Sequence, residues 1–278
     1  MCLKSLVLKS AVSNKLASIS NPVFFQDSFH TGHLLHICQP VTTAEVLRIL
    51  HSVPPKSSSV DFVPPSLVKS CVFAELIAEL ANRSFSNGCF SACFKHAAIT
   101  PLLKKPTLET SDPSSYRPIS SLDFISEILE RLFLAHFQPH VLVCSNFNHH
   151  QSAYRPRHST ETSLLSTLDT IYRASDIGSS TLLVSLDLSA AFDTIDHVTL
   201  INRLRTSFGI TGSVLSWLQS YLSNRTQSVR IGHHSSTPTK CTTGVPKGSV
   251  LGPLLFATYT SPIATITRSF QVCPRDSG

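Results

Sequence analysis

Apolar residues recur every three or four positions along much of this chain, which is the spacing of one face of an α-helix. The first such stretch follows Thr42 and Glu45, which have the spacing of a capping box. The same periodicity predicts further helices near residues 73–80, 121–137, 160–172 and 214–222. Each helix should bury its apolar face against the rest of the fold.

One more helix is predicted in greater detail, from about His197 to Phe208. Asp193, Asp196 and His197 open it, with Asp196 as the N-cap. Gly209 should end it. Its inward face is expected to hold Val198, Ile201, Leu204 and Phe208.

Short apolar runs bounded by turn residues predict strands. Val229 and Ile231 should begin a hairpin that returns near Cys241. Residues 182–188, Leu-Leu-Val-Ser-Leu-Asp-Leu, are apolar on both faces, which is typical of a strand in a sheet interior. Because helices and strands interleave along the chain, the predicted fold class is α+β.

Asp187 is the charged residue of that apolar run. A carboxylate in a buried strand is costly unless a cation or hydrogen bonds compensate its charge. One interpretation is a metal site, since polymerases hold Mg²⁺ with one or two carboxylates and the substrate phosphates. The other is that Asp187 caps a turn at the strand end. Asp196 is better explained as a helix cap than as a second metal ligand.

A turn-rich segment follows about fifty residues later, with the sequence Gly-Val-Pro-Lys-Gly-Ser-Val-Leu-Gly-Pro from Gly244 to Pro253. Pro246 and Gly248 fit a tight turn, and Gly248 allows a ligand to approach the backbone closely. Pro253 falls in a first helical turn, where proline is tolerated. The segment therefore predicts a turn that leads into an apolar helix.

Together these two segments resemble the palm of a reverse transcriptase from a non-LTR, or LINE-type, retrotransposon. The resemblance implies a right-hand polymerase fold with fingers and a partial palm, the thumb being absent. It makes Asp187 the catalytic residue and a ligand of Mg²⁺, with the Leu188 carbonyl as a further ligand. It also makes Phe192 the residue whose ring excludes a ribose 2′-hydroxyl. From the sequence alone, Phe192 is equally explained as a core aromatic residue between strand and helix.

Three upstream segments are similar to the fingers of the same enzymes and occur in the same order: residues 97–106, 115–120 and 151–160. In that context their cations are expected to meet the triphosphate or the template phosphates. Taken singly, each is more often a solvated surface cation. These residues are Lys104, Lys105, Arg117 and Arg155.

Several positions depart from the pattern of those enzymes. Lys247 stands where the relatives carry a glutamine that lies against the incoming nucleotide, and lysine offers a point charge but no acceptor. The relatives more often have glycine and phenylalanine at Ala153 and Tyr154, and glycine at Arg157. The aromatic-Ala-Asp-Asp tetrapeptide that completes their metal site is absent from these 278 residues. We therefore expect a truncated fragment that is inactive alone, in which Lys247 and Gly248 belong to the nucleotide site.

The formal charge of +6 favours a polyanionic partner. Between Val198 and Arg275 stand eight basic residues and no Asp or Glu, which predicts a surface that binds nucleic-acid backbones. The expected partners are an RNA template, a DNA primer and deoxynucleotides, with no membrane. The eight cysteines lack zinc-site spacing. No secretory signal is evident, so a nuclear or cytoplasmic location is expected.

Three regions follow from these patterns. Residues 1–60 form an irregular and helical linker region, residues 61–180 a fingers-like region, and residues 181–278 a partial palm. The leading hypothesis is a fragment of an RNA-directed DNA polymerase. The alternatives are a non-catalytic nucleic-acid-binding remnant and a non-functional translated fragment.

Overall fold

The computed structural model describes residues 29–185, 188 and 190–269. Its α-helices are α1 (Thr43–Ser52), α2 (Pro65–Val68), α3 (Cys71–Ser86), α4 (Phe124–Val143), α5 (Thr160–Asp176), α6 (His197–Thr206), α7 (Gly212–Leu222), α8 (Gly252–Thr260) and α9 (Ile263–Ser269). Its strands are β1 (His96–Leu103), β2 (Tyr116–Ser121), β3 (Arg225–Ile231), β4 (His234–Ser235) and β5 (Thr239–Cys241). This mixture of helices with a five-stranded sheet agrees with the predicted α+β class.

The sheet joins two distant parts of the chain. β1 pairs with β2 in an antiparallel hairpin and with β3 in parallel. In the parallel pair His96 lies opposite Thr226, 130 residues further along. β3 then pairs antiparallel with β4 and β5, which confirms the predicted hairpin that returns near Cys241. The β1–β3 pair therefore fixes the upstream strands against the part of the chain that carries the turn-rich segment.

Aromatic rings fill the centre of the helical layer. The Trp217 indole of α7 stacks on Phe133 of α4, with ring centroids 4.0 Å apart, and on Tyr221 at 5.6 Å. Phe85 of α3 and the nearby Phe90 meet the same indole edge-on at 5.6 and 5.3 Å. All five rings are buried. This cluster, here called the Trp217 core, packs α3, α4 and α7 together.

The predicted helix caps are confirmed. Thr42 and Glu45 form the capping box of α1. Asp196 is the N-cap of α6, and its side chain accepts a hydrogen bond from the Thr199 backbone N–H at 2.7 Å. Gly209, after α6, has a φ of +64°, a conformation that glycine adopts without steric cost. Each of these residues contacts only its neighbours within one or two helical turns, so the sequence alone is enough to predict the caps.

The buried face of α6 differs from the prediction. Val198 is exposed, and Leu200, Leu204 and Phe208 form the buried stripe, with Ile201 half-buried beside it. The apolar spacing allowed either stripe. Packing of α6 against α7 and α8 selected the one that passes through Leu200.

The prediction of a buried strand is wrong for residues 181–185, which form no strand. Leu182, Leu183 and Val184 are 88%, 68% and 64% exposed. A strand that is apolar on both faces needs neighbouring strands and covering helices, and the sheet of β1 to β5 is built without this segment. Asp187 itself lies outside the described residues.

The uncharged stretch from Gly248 to Thr267 forms a turn followed by the short helices α8 and α9. Within the ranges that the structure describes, no helix combines the length and the apolar character needed to cross a membrane.

Candidate active site

The segment from Gly244 to Pro253, here called the 244–253 turn, has the tight geometry that its sequence predicts. Gly244 and Gly248 have φ values of +78° and +84°. A Cβ at Gly244 would lie 2.6 Å from the Phe192 carbonyl oxygen, so glycine is required at this contact. Pro253 lies in the first turn of α8, as predicted.

The chain around Phe192, residues 190–197, lies directly against this turn. The Val245 backbone N–H donates to the Phe192 carbonyl at 2.9 Å, and the Gly244 N–H donates to the Ile195 carbonyl at 2.8 Å. His197 Nε2 donates to the Gly244 carbonyl at 2.7 Å. The two segments that sequence analysis singled out thus form one junction, although about fifty residues separate them.

Lys247 and Asp193 form an ion pair across this junction. The distance from Lys247 Nζ to Asp193 Oδ2 is 2.6 Å. The Asp193 side chain is 4% exposed and that of Lys247 is 32% exposed. A carboxylate this deeply buried needs a compensating charge, which the ammonium group supplies. The sequence pattern predicts Asp193 at the start of a helix and does not predict the pair, because only the fold brings residues 193 and 247 together.

Phe192 is half-buried, with one side on the core and one toward solvent. Its ring lies 5.3 Å from that of Phe256 in α8 and 6.4 Å, edge-on, from that of the exposed Tyr154. Both interpretations of Phe192 remain compatible with this position. It packs as a core aromatic residue, and it also presents part of its ring beside the junction.

The loop before α5 contains two residues in the left-handed conformation. Tyr154 and Arg157 have φ values of +58° and +64°. For a residue other than glycine this conformation costs about 1 kcal/mol. The expectation that glycine is common at the Arg157 position has a physical reason here, because glycine would adopt this φ without strain.

The predicted phosphate-binding cations lie on two elements. Lys104, Lys105 and Arg117 belong to the β1–β2 hairpin or its loop and are exposed, and Arg155 is half-buried in the loop before α5. Lys104 Nζ donates to the Ser114 carbonyl at 2.9 Å, and Arg155 Nη1 donates to the His149 carbonyl at 3.1 Å.

The β1–β2 hairpin reaches the junction at Ser120. A Cβ added to Gly248 would lie 3.2 Å from the Ser120 carbonyl oxygen. Arg117 is three residues from Ser120 on the same strand, β2. The hairpin that carries three of the predicted cations is therefore adjacent to the 244–253 turn.

A buried carboxylate accepts hydrogen bonds from the backbone at the start of α8. Glu130 of α4 is fully buried, and its Oε2 accepts hydrogen bonds from the backbone N–H groups of Val250 at 2.8 Å and Leu251 at 3.2 Å. Such N–H groups at a helix start otherwise lack partners. Burial raises the pKa of Glu130, and the nearby Arg225 and the backbone donors oppose that rise. In the sequence, Glu130 is one polar position in the apolar pattern of α4, and that pattern does not predict its contact with the start of α8.

The expected basic surface between residues 198 and 275 is smaller than its charge count suggests. Arg225 is buried, its guanidinium lies 4.6 Å from the centre of the Tyr221 ring, and Nη1 donates to the Tyr221 carbonyl at 2.8 Å. The ring and the nearby Glu130 compensate its burial. Lys247 pairs with Asp193, and Arg203 donates to the Tyr259 carbonyl. Among the residues of this region whose side chains are described, the exposed cations are Arg205, Arg230 and Lys240.

The predicted metal ligands cannot be assembled from the described residues. Asp187 lies outside them, and Leu188 is described without its two neighbours. Across ranges 29–185 and 190–269, no three His, Cys, Asp or Glu side chains are grouped so as to hold a metal ion. The described residues therefore do not make up a metal centre.

The family described as "Reverse transcriptase (RNA-dependent DNA polymerase)" matches residues 103–273. The chain is 30% identical to "Probable RNA-directed DNA polymerase from transposon BS" of Drosophila melanogaster, over 85% of this chain and 26% of that protein. It is 34% identical to the corresponding protein of transposon X-element from the same species, over 58% of this chain and 18% of that protein. It is 28% identical to "RNA-directed DNA polymerase from mobile element jockey" of Drosophila melanogaster, over 73% of this chain and 22% of that protein. The chain thus spans about a quarter, or less, of the length of these relatives.

Proposed function

Because this chain belongs to the reverse transcriptase family, of the LINE type, we propose that it supplies the part of an RNA-directed DNA polymerase that binds the incoming deoxynucleotide. The observation that carries the proposal is the junction of residues 190–197 with the 244–253 turn beside β2. All three elements fall within the matched range 103–273. Residues 61–180 would then contribute the fingers and residues 181–278 part of the palm.

In this proposal the sugar lies against Phe192. A ring that excludes a 2′-hydroxyl must be held in place, because a mobile ring would move aside. Phe256 backs the Phe192 ring at 5.3 Å, and the carbonyl of Phe192 is fixed by the Val245 N–H. Gly248, exposed and without a side chain, leaves room for the base or sugar beside the same turn.

The phosphates would extend toward the β1–β2 hairpin. Arg117 and Lys105 are exposed there, and Lys104 lies in the same hairpin. Arginine offers two parallel hydrogen bonds to a phosphate and lysine a compact charge. Arg155 would approach from the loop before α5. Mg²⁺ held by Asp187 and the Leu188 carbonyl is part of the same proposal and comes from the resemblance alone.

The proposal is tested by comparing deoxynucleotide and ribonucleotide binding to the 278-residue chain with fluorescent triphosphates. We expect the wild-type chain to prefer the deoxynucleotide and Phe192→Ala to bring the two affinities together. Tyr172→Ala, which removes an exposed ring from α5, is the matched control and should keep the preference. Equal affinities in the wild-type chain, or a preference that survives Phe192→Ala, would count against Phe192 as the sugar filter.

Binding should occur without catalysis. These 278 residues contain no aromatic-Ala-Asp-Asp tetrapeptide, so a chain of this sequence lacks the carboxylates that complete the expected two-metal site. We expect no template-dependent extension of a primed RNA with Mg²⁺ or Mn²⁺. Incorporation that disappears in Asp187→Ala would refute this expectation and would imply that another carboxylate has been recruited.

The alternative of a nucleic-acid-binding remnant that uses residues 198–275 alone has less support. That hypothesis relied on Arg225 as a surface cation, and Arg225 is buried beneath Tyr221 and Phe90. Any such binding would depend on Arg205, Arg230 and Lys240 among the described residues, and should weaken steeply with salt.

A further inference from the structure

Asp193 and Phe192 are consecutive, yet they contact opposite sides of the junction. Both lie in the short 3-10 helix Ala191–Asp193, which follows Ala190 in the left-handed conformation with a φ of +56°. Phe192 contacts Phe256 and Tyr154, whereas Asp193 is buried against Lys247. The single turn thus places a ring on the candidate sugar side and a carboxylate beneath the 244–253 turn.

Backbone hydrogen bonds fix both partners of the Asp193–Lys247 pair. The Asp193 N–H donates to the Ala190 carbonyl at 2.7 Å. The turn that contains Lys247 is closed by a bond from the Ser249 N–H to the Pro246 carbonyl at 3.1 Å. Two further bonds join the segments to each other at Val245 and Gly244. The backbone therefore holds residues 193 and 247 close to each other, and the two side chains pair across that short distance.

Pairing changes what Lys247 offers to a ligand. An ammonium 2.6 Å from a buried carboxylate is largely neutralised, and its hydrogens are partly used. Lys247 nevertheless keeps about a third of its side chain exposed, so it lies close to the surface on which a nucleotide would bind. Lys105 and Arg117, by contrast, are exposed on the β1–β2 hairpin, which reaches the same turn at Ser120.

We propose that Asp193 is a positioning residue that holds Lys247 beneath the nucleotide site and keeps its charge from the triphosphate. The inference rests on the proposed function for the location of the triphosphate, but the ion pair itself does not. Lys247 then remains paired with Asp193 and does not bind the triphosphate, whose affinity comes from the cations of the β1–β2 hairpin. Releasing Lys247 from Asp193 should tighten triphosphate binding, whereas removing both charges of the pair together should leave it nearly unchanged.

The first arm of the test measures the pair without any nucleotide. Lys247→Gln removes the ammonium that lies 2.6 Å from the buried Asp193 carboxylate, so the Tm should fall by about 5 °C. Adding Asp193→Asn in the double variant also removes the carboxylate charge that Lys247 compensates, and should restore most of that loss. If the Tm changes of the two single variants simply add in the double variant, the pair is not coupled and the proposal fails.

The second arm measures a deoxynucleoside triphosphate and the matching deoxynucleoside. Asp193→Asn should bind the triphosphate about threefold to fivefold more tightly, as one added charge contact allows, with no change for the nucleoside. Lys247→Gln combined with Asp193→Asn removes both charges at once and should change triphosphate affinity less than about twofold. A merely structural role of the pair would weaken both ligands together, so the tightening for one ligand separates positioning from stability.

Lys105→Gln and Arg117→Gln report separately on the proposed function. They should weaken triphosphate binding while leaving the Tm unchanged. If they have no effect, or if no triphosphate binds, the assignment of the nucleotide site is wrong even where the Tm cycle shows coupling. If Lys247→Gln weakens the triphosphate as much as Lys105→Gln and Asp193→Asn changes nothing, then Lys247 itself contacts phosphate and Asp193 does not restrain it.

Discussion

The Trp217 core and the region of residues 160–185 both contain large apolar side chains, which are buried in the core and mostly exposed in residues 160–185. In the core, rings from α3, α4 and α7 cover one another within 4.0 to 5.7 Å of their centroids. In α5, only Ser163 is buried, while Leu164, Leu165, Leu168 and Tyr172 are exposed. Leu182, Leu183 and Val184 continue that exposed region. Apolar periodicity thus predicts which face of a helix could be buried. That face is buried only where another element of the fold packs against it.

The comparison predicts its largest effect at Trp217. Trp217→Ala removes the ring that α3, α4 and α7 share, so the free energy of unfolding should fall by about 3–5 kcal/mol. Chemical denaturation monitored by far-UV circular dichroism measures it. Tyr172→Ala on α5 is the matched control and should change stability by less than about 0.5 kcal/mol. Similar losses for the two variants would mean that α5 is as well packed as the core.

Glu130 should have the next largest effect, because it links the core to the 244–253 turn. Glu130→Ala leaves the Val250 and Leu251 N–H groups without their acceptor, which should cost about 2 kcal/mol. Glu127→Ala on the same helix removes only a half-buried ion pair with Arg131 and should cost less than about 1 kcal/mol.

Glu130 also predicts a pH dependence. Burial raises its pKa in the folded state above the usual 4.5, so the folded protein binds this proton more tightly than the unfolded chain. The stabilisation is complete below pH 4.5 and is lost as the pH rises through the raised value. Urea unfolding at several pH values from 4.5 upward should therefore show a steeper loss for the wild-type chain than for Glu130→Gln. Parallel curves would show that Glu130 titrates as it does in the unfolded chain.

A smaller, stabilising effect is expected at Arg157. Its φ of +64° strains arginine, so Arg157→Gly should raise the free energy of unfolding by up to about 1 kcal/mol. Arg173→Gly provides the contrast, because Arg173 lies inside α5, where glycine should cost about 1 kcal/mol. A loss of stability in Arg157→Gly would mean that contacts of the arginine outweigh its backbone strain.

Substitutions on the exposed face of α5 should have the smallest effect on stability. Their effect on self-association of the chain should be larger. Leu165→Gln combined with Leu168→Gln should change unfolding by less than about 0.5 kcal/mol, yet reduce self-association, because exposed apolar patches promote it. Sedimentation velocity measures the association. An unchanged sedimentation profile would show that this face does not drive contacts between copies.

The same contrast explains which features the sequence could predict. Thr42, Asp196, Gly209 and Gly248 act through their own neighbourhoods, and the helices, the cap and the turn they predict are confirmed. The pairs of β1 with β3, Asp193 with Lys247, and Glu130 with Val250 join residues 54 to 130 positions apart. No local pattern encodes such pairs.

Burial was the hardest property to infer. Arg225 carries a charge and is buried, because Tyr221 and Glu130 compensate it, whereas Leu182 is apolar and exposed, because no described strand covers it. Both errors came from assigning burial by residue type, without the partner that the fold supplies.

The central claim is that the junction of residues 190–197 with the 244–253 turn binds the deoxynucleotide, and photo-crosslinking tests it most directly. A deoxynucleoside triphosphate with a photoreactive azide on its base is irradiated with the chain, and the labelled peptides are mapped by mass spectrometry. The account predicts label in peptides that contain Phe192 or Gly248, with competition by unlabelled deoxynucleotide. Label confined to the exposed face of α5, or label that unlabelled nucleotide does not displace, would contradict it.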